Sequence, residues 1–299
     1  MKIINLGSIN IDHVYQVDHF AQPGETLQAD SYKVFPGGKG LNQSLALAGA
    51  GVTVLHAGKV GPGAEWLIRL LQDRGIDTSL LSESARPTGH AVIQVIPSGE
   101  NAIVIDGGAN RDLDEGLIQR TLAALSPGDF LLLQNEVNGV GDMIRACADR
   151  PINVVFNPAP MTATVSSYPL DRVDWFILNQ VEGSDMTRQA DPEGILKAML
   201  KRYPKAKTVL TLGSKGLLYG DSQQTFPVAA ESVNAIDTTG TGDTFIGFFL
   251  GAVMNDRPLK TALEEGCQAA AICATREGAA KICRVSSFFR LRRGKSSAP

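Results

Sequence analysis

The chain has 299 residues, 43% of them hydrophobic, which is enough for one large α/β domain. Its formal net charge of −3 hides an asymmetry, because residues 281–299 carry Lys281, Arg284, Arg290, Arg292, Arg293 and Lys295 and no acidic residue, leaving 22 basic against 31 acidic residues elsewhere. An acidic body argues against a nucleic-acid partner; with no apolar run near the ~20 residues of a membrane span and a start that reads as a strand, a cytoplasmic protein is expected.

Ile3–Leu6 predicts a first strand. Beyond it, Asn10 and Asp12 stand two residues apart, on one side if the segment is extended, where both can grip adjacent hydroxyls. Each alone is equally a turn residue. His13 to Phe35 reads as extended, without a helix. Then come Gly37, Gly38 and Gly40 around Lys39, followed by Asn42. The glycines let backbone approach a ligand, and Lys39 and Asn42 offer donors suited to a polyhydroxylated molecule. An ordinary glycine turn into the helix predicted over Leu41–Gly49 is the plainer alternative. A strand at Val52–Ala57 and a helix at Ala64–Arg74 follow, and Gly89–Ile105 is extended again, with a hairpin turn at Pro97–Glu100. These two helix-free stretches predict a small separate sheet, a lid over a crevice whose bare edges suit pairing with a second subunit.

Helices are predicted at Asp114–Leu125, Gly139–Ala148 and Pro192–Tyr203, alternating with strands at Phe130–Leu133, Asn153–Phe156, Trp175–Leu178 and Thr208–Leu212. Strands apolar throughout are covered on both faces, so the fold class is α/β, a doubly wound, mostly parallel sheet with its crevice at the strand C-terminal ends. Glu136 stands just past one such end. Asn179 and Glu182 share a face of a first helical turn, fit for a hard cation with its water shell or for simple capping. Thr211–Gly216, with Gly213, Ser214 and Lys215, is a strand and glycine turn offering hydroxyls and amides to a nucleotide.

The most informative run is Asp237–Asp243, which an apolar segment, Phe245–Val253, continues as helix. Amides at a helix start carry partial positive charge and no internal partner, so Gly240, Thr241 and Gly242 can hold a phosphoryl group. Asp243 beside them can take the proton of an attacking hydroxyl, the pairing that a small-molecule kinase needs. A tight turn capped by Asp ahead of a core helix is the alternative. Neither a G-x-x-x-x-G-K-[ST] loop nor a G-x-G-x-x-G after the first strand is present. Cys147, Cys267, Cys273 and Cys283 lack metal or redox spacing, and His13, His19, His56 and His90 lack ligand spacing.

These motifs, in this order, resemble the ribokinase, or PfkB-type, family of sugar and nucleoside kinases, most closely its ribokinase branch. Gly7–Asp12, Pro23–Thr26, Gly37–Gly40 with Asn42 and Gln43, Gly107–Asn110, Asn157–Pro160, Asp237–Asp243 and Ala274–Ala279 carry the likeness. It implies a kinase core at 1–12, 37–88 and 107–280, a β lid at 13–36 and 89–106, and an atypical, disordered basic tail at 281–299. It implies ATP-dependent phosphorylation of the primary hydroxyl of a pentose, ribose first; another sugar or a nucleoside is the alternative, and a catalytically weak sugar or nucleotide sensor a third.

The resemblance also assigns roles. Sugar would be held by Asn10, Asp12, Gly38, Lys39, Asn42 and Glu136, with Asp243 as base and the amides of Gly240, Thr241 and Gly242 on the phosphoryl group. ATP would meet Asn179, Thr211, Gly213, Ser214, Lys215, Gly216, Gly242 and Cys267. Asn179 and Glu182 match the motif that organises Mg2+ through water; Asp237, Thr239 and Gly278 match positions near an activating monovalent cation, K+. A homodimer through the lid is implied as well. Three departures stand out: Thr241 where the family has a small residue, Phe248 where another is usual, and, after Ala280, Lys281-Ile282-Cys283 where Pro-Ser is usual. An altered reading frame from residue 281 would account for the last.

Overall fold

The computed structural model describes residues 1–276, so Gly278, Cys283 and the basic tail lie outside the described residues. In chain order the first half comprises β1 (Ile3–Leu6), β2 (Asn10–Gln16), β3 (Ser31–Gly37), α1 (Lys39–Gly49), β4 (Val54–Val60), α2 (Glu65–Gln72), β5 (Asp77–Glu83), β6 (Gly89–Val95), β7 (Asn101–Asp106) and α3 (Glu115–Ala124). The second half comprises β8 (Phe130–Gln134), α4 (Val140–Cys147), β9 (Asn153–Asn157), β10 (Trp175–Asn179), α5 (Gln180–Thr187), α6 (Pro192–Arg202), β11 (Lys207–Thr211), β12 (Leu217–Gly220), β13 (Thr225–Val228), α7 (Thr241–Met254) and α8 (Leu259–Ala274). Local chemistry sets several boundaries: Asp114 caps α3 by accepting from the Leu117 amide, and Asp191 caps α6 ahead of Pro192, whose ring suits a first helical position.

Nine strands form one sheet in the order β13-β12-β11-β10-β9-β8-β1-β4-β5. All its pairings are parallel except those of β12, which is antiparallel to β11 and to β13. Because β1 lies between β8 and β4, the chain winds first to one side of β1 and later to the other, and a crevice opens at that reversal. Apolar strand residues alternate between two cores. Ile3, Leu132, Val155 and Ile177 pack on the side of α1, α7 and α8, whereas Ile4, Leu131, Phe156 and Phe176 pack on the side of α3, α4 and α6. The uninterrupted hydrophobicity of these strands thus reflects two buried faces.

Four strands form a second sheet, in the order β3-β2-β6-β7. β2 begins at Asn10, so Asn10 and Asp12 stand on this lid sheet and not at the end of β1. The turn at Pro97–Glu100 joins β6 to β7, with Gly99 in the left-handed region at φ 86°. The long extended stretch from His13 resolves into β2, a loop and β3. β5, the β12–β13 hairpin and α8 have no counterpart among the sequence expectations. β12 and β13 are four residues each, with Gly220 ending one and Pro227 inside the other, which suits an edge hairpin and weakens any periodic signal.

Helices α1 and α7 run side by side with their backbones almost touching. A Cβ on Gly247 would fall 2.3 Å from the Ala46 Cβ and 2.7 Å from the Ala46 carbonyl carbon; one on Gly251 would fall 2.4 Å from the Ala50 Cβ. Four residues separate the members of each pair, one helical turn, so the two contacts form a seam. One turn upstream stand Asp243 on α7 and Asn42 and Gln43 on α1. Gly247→Val should therefore lower the unfolding free energy by about 1–3 kcal/mol through overpacking, although valine is the better helix former. An unchanged midpoint in urea would show that the seam yields at no expense.

Candidate active site

Asp243 lies in the first turn of α7, 7% exposed. Its Oδ1 accepts from Gln43 Nε2 at 2.8 Å and its Oδ2 from Asn42 Nδ2 at 3.2 Å. Gly240, the N-cap, takes the left-handed conformation at φ 75°, which glycine adopts without strain. The amides of Gly240 and Gly242 donate to no described residue, and nothing lies within 4 Å of where a Cβ on Gly242 would stand, so the space above is open. Thr241 differs from the expectation. Its amide, at 3.2 Å, and its hydroxyl, at 2.8 Å, both turn back to the Thr238 carbonyl, so this amide is already engaged. Phe248 is buried in the core, 1% exposed.

A cavity of about 230 Å³ opens over Asp243. Lys39, Asn179, Glu182, Thr211, Gly240 and Gly242 share its wall, which unites residues drawn from four separate motifs. Glu182 closes a capping box with Asn179: its Oε2 accepts from the Asn179 amide and its Oε1 from Asn179 Nδ2, both at 2.9 Å, while Asn179 Oδ1 accepts from the Glu182 amide. Burial raises the Glu182 carboxyl, and the Asn179 amide opposes that shift. Lys39 is raised, chiefly by Asp243 and further by Glu136 and Glu182, against the pull of its own burial.

A second group of the expected residues is built around Glu136 and the lid's first strand. Glu136 Oε2 accepts from the Ser8 hydroxyl at 2.5 Å and from the Lys39 amide at 2.9 Å. Asn10, 5% exposed, is held by Asn110 Nδ2 at 2.7 Å. Gly38 sits at φ 93° against Ser8 and Asn10, and Gly37 leaves room for the Asp12 carboxylate, which any Cβ there would strike. Burial first and Glu136 second push Asp12 up to about 6.

Other expected residues lie further out. Gly213, Ser214 and Lys215 form an exposed turn after β11, closed by Gly216 at φ 89°. Asp237 receives the Thr239 amide at 2.9 Å and its own amide reaches the Ala274 carbonyl, which ties this loop to α8. Cys267 lies on α8, half-buried and raised to about 11 by burial, outside the cavity wall. A hollow of about 360 Å³ beside α4 contains none of the expected residues. No helix among the described residues is long and apolar enough to cross a membrane.

Sequence reasoning gave no role to Ser8, Gln43, Asn110 or Asn157. Ser8 and Asn110 hold Glu136 and Asn10, Asn157 lines the cavity, and Gln43 bonds Asp243. The available signal was the adjacency of Asn42 and Gln43, two amides at the start of one helix.

Comparison with known proteins agrees with this geometry. The model of the pfkB family carbohydrate kinases matches residues 1–285. The chain is 35% identical to a ribokinase of Haemophilus influenzae, with 92% of each chain covered, and 31% identical to a deoxyribokinase of Salmonella typhi, covering 93% and 94%. The crystal structure of a ribokinase from Cryptococcus neoformans in complex with ADP superposes with a TM-score of 0.85 at 31% identity, covering 97% of this chain and 99% of that one. A buried carboxylate at a glycine-rich helix start and a match along nearly the whole chain lead to one conclusion: the protein belongs to the pfkB family of carbohydrate kinases, ATP-binding phosphotransferases with an alcohol group as acceptor.

Proposed function

We propose that the protein transfers the γ-phosphoryl group of ATP to the primary hydroxyl of a pentose, ribose first. The observation that carries this is the Asp243 carboxylate, buried beside the Gly240 and Gly242 amides, which have no acceptor among the described residues, in one cavity with Lys39, Asn179 and Glu182. Asn10, Asp12, Gly38, Asn42 and Glu136 supply the polar wall for the sugar, and the relative from Haemophilus influenzae is named for ribose. The hydroxyl loses its proton to Asp243 as its oxygen bonds to phosphorus and ADP departs. The helix-start amides and Lys39 stabilise the charge that spreads over the phosphoryl oxygens. On this reading Thr211 and the Gly213–Gly216 turn face the nucleotide, with Cys267 at its outer edge.

The residues present fit magnesium. Both Glu182 oxygens already accept from Asn179, so this pair would hold the ion through its water shell. Bound there, magnesium supplies charge neutralisation for the phosphates. For potassium, Asp237 and Thr239 lie together in the loop before α7, whereas Gly278 is outside the described residues.

Asp243→Asn should leave sugar affinity within about threefold while kcat falls on the order of 10²–10⁴, the usual worth of a general base. Near-full turnover would remove Asp243 from that role. A coupled assay over ribose, deoxyribose, hexoses and nucleosides tests the acceptor. A nucleoside or deoxy sugar is the second reading, favoured by the apolar Ile93, Val95, Ile103 and Ile105 on the face of the lid that carries Asp12, and by the deoxyribokinase relative. Saturable binding without transfer would instead identify a sensor.

Asp12 adds a pH dependence. Its carboxyl lies at about 6, so its charged form is lost as pH falls through that value and with it an acceptor for a sugar hydroxyl. Thus kcat/KM for the sugar should decline by about tenfold per unit below pH 6 in the parent, and Asp12→Asn should flatten that limb. A limb unchanged in the variant would assign it elsewhere.

The outer face of the lid exposes Tyr32, Val34, Val92 and Val104, an apolar surface suited to a second copy of the chain. Light scattering should give twice the 31.8 kDa chain mass, and Val104→Lys should halve it. A monomeric parent would refute the lid-mediated dimer.

A further inference from the structure

We propose that Gln43 is a positioning residue for the Asp243 carboxylate, and that its amide is aimed by a buried relay fixed at both ends by backbone carbonyls. The proposal rests on Asp243 as the base. Gln43, Gln134 and Asn5 are fully buried on three different elements, α1, β8 and the strip just within β1. Gln43 itself therefore acts on the reaction only through another side chain.

The direction of every amide in this chain follows from its ends. Asn5 Nδ2 donates to the Gly40 carbonyl at 2.8 Å and to the Ser44 hydroxyl at 2.8 Å. A carbonyl can only accept, so the Asn5 NH₂ must face it and its Oδ1 must face Gln134. Gln134 Nε2 then donates to Asn5 Oδ1 at 2.9 Å and to Gln43 Oε1 at 2.7 Å. That leaves the Gln43 NH₂ for Asp243 Oδ1, at 2.8 Å. From the other side, Asn157 Nδ2 donates to the Ile177 carbonyl at 2.9 Å, which turns Asn157 Oδ1 toward the same Gln43 NH₂ at 3.2 Å. Reversing any one amide would set acceptor against acceptor along the relay.

Two consequences bear on catalysis. Asp243 Oδ1 accepts at 2.8 Å from an N–H that cannot swing away, whereas Oδ2 accepts at a longer 3.2 Å from Asn42 Nδ2, so the less tightly held Oδ2 is the oxygen left to take the proton. The arrangement also leaves Gln134 Oε1 buried with no hydrogen-bond partner among the described residues, a destabilising feature that packing alone does not require. An orphaned acceptor is explained if the two donors of Gln134 are what the site needs.

The test is a double-mutant cycle read in kcat, with folding followed by circular dichroism and thermal unfolding. Gln43→Met keeps the volume and removes the donor. It should lower kcat roughly 10- to 100-fold, as expected for one hydrogen bond to a charged group, with KM for sugar and ATP within about threefold. In an Asp243→Asn background the same change should alter the residual kcat by less than about twofold, because the base that Gln43 positions is gone even though an amide oxygen remains. Gln134→Met, one amide further from the carboxylate, should show the same non-additivity, and it serves as the readout should the Gln43 variant fail to fold. Additive losses, or full kcat in either folded variant, overturn the relay. If Asp243→Asn alone keeps its turnover, the base assignment fails and the relay with it; if that variant is inactive while the glutamine changes are silent, only the relay fails.

Discussion

The backbone contact between α1 and α7 is the constraint on which the site depends. Glycines at 247 and 251 face alanines at 46 and 50, and no larger pair would let the axes come so close. Since the helices run in parallel and both begin at the crevice, their approach fixes how far apart their first turns are. Asn42, Gln43 and Asp243 meet because the seam one turn below them allows it. The same geometry brings the starts of both helices to one cavity, whose wall holds Gly240 and Gly242 of the α7 entry and Lys39 of α1. Packing and chemistry are here a single requirement, because a side chain that opened the seam would separate the carboxylate from its two amide partners.

Charge is arranged on that frame with little slack. Asp243, Glu136 and Glu182 crowd around a single lysine, Lys39, whose protonated state they favour. Each carboxylate is tied down differently: Glu136 by Ser8 and the Lys39 amide, Glu182 by its capping box, Asp243 by Gln43 and Asn42. Asp12 has burial and the neighbouring Glu136 against it, which explains why it stands so far above an ordinary carboxyl. On the proposed reading, such a site is preorganised for a ligand that brings hydroxyl donors to the acidic residues and phosphate to the helix-start amides.

Much of the frame was legible in the sequence because its signals are strong and local. Continuous apolar runs marked β1, β8, β9, β10 and β11, and turn-rich extended stretches marked the lid sheet. What escaped had physical reasons. The edge hairpin β12–β13 is too short for periodicity to show, and α8, rich in alanine and capped by Pro258 without a side-chain hydrogen bond, announces itself weakly at its start. Asn10 and Asp12 were expected near the end of β1, yet the chain breaks at Gly7 and Ser8 and restarts in a different sheet, a change of layer that an extended pattern cannot reveal. The long-range partners of Gln43 were equally invisible, since the contacts from Gln43 to Gln134, Asn157 and Asp243 span 91 residues or more.

Thr241 shows how a departure in sequence can be absorbed by local geometry. A β-branched residue at the first position of α7 would be expected to crowd the anion site. Instead its hydroxyl and its amide share one acceptor, the Thr238 carbonyl, so the side chain closes the preceding turn. On the proposed reading the anion-binding role passes to Gly240 and Gly242, whose amides meet no acceptor among the described residues and whose missing side chains leave the approach open. On that reading, loss of one donor is compatible with phosphoryl transfer because Lys39 lines the same cavity and would add a full positive charge in place of the third amide's partial one.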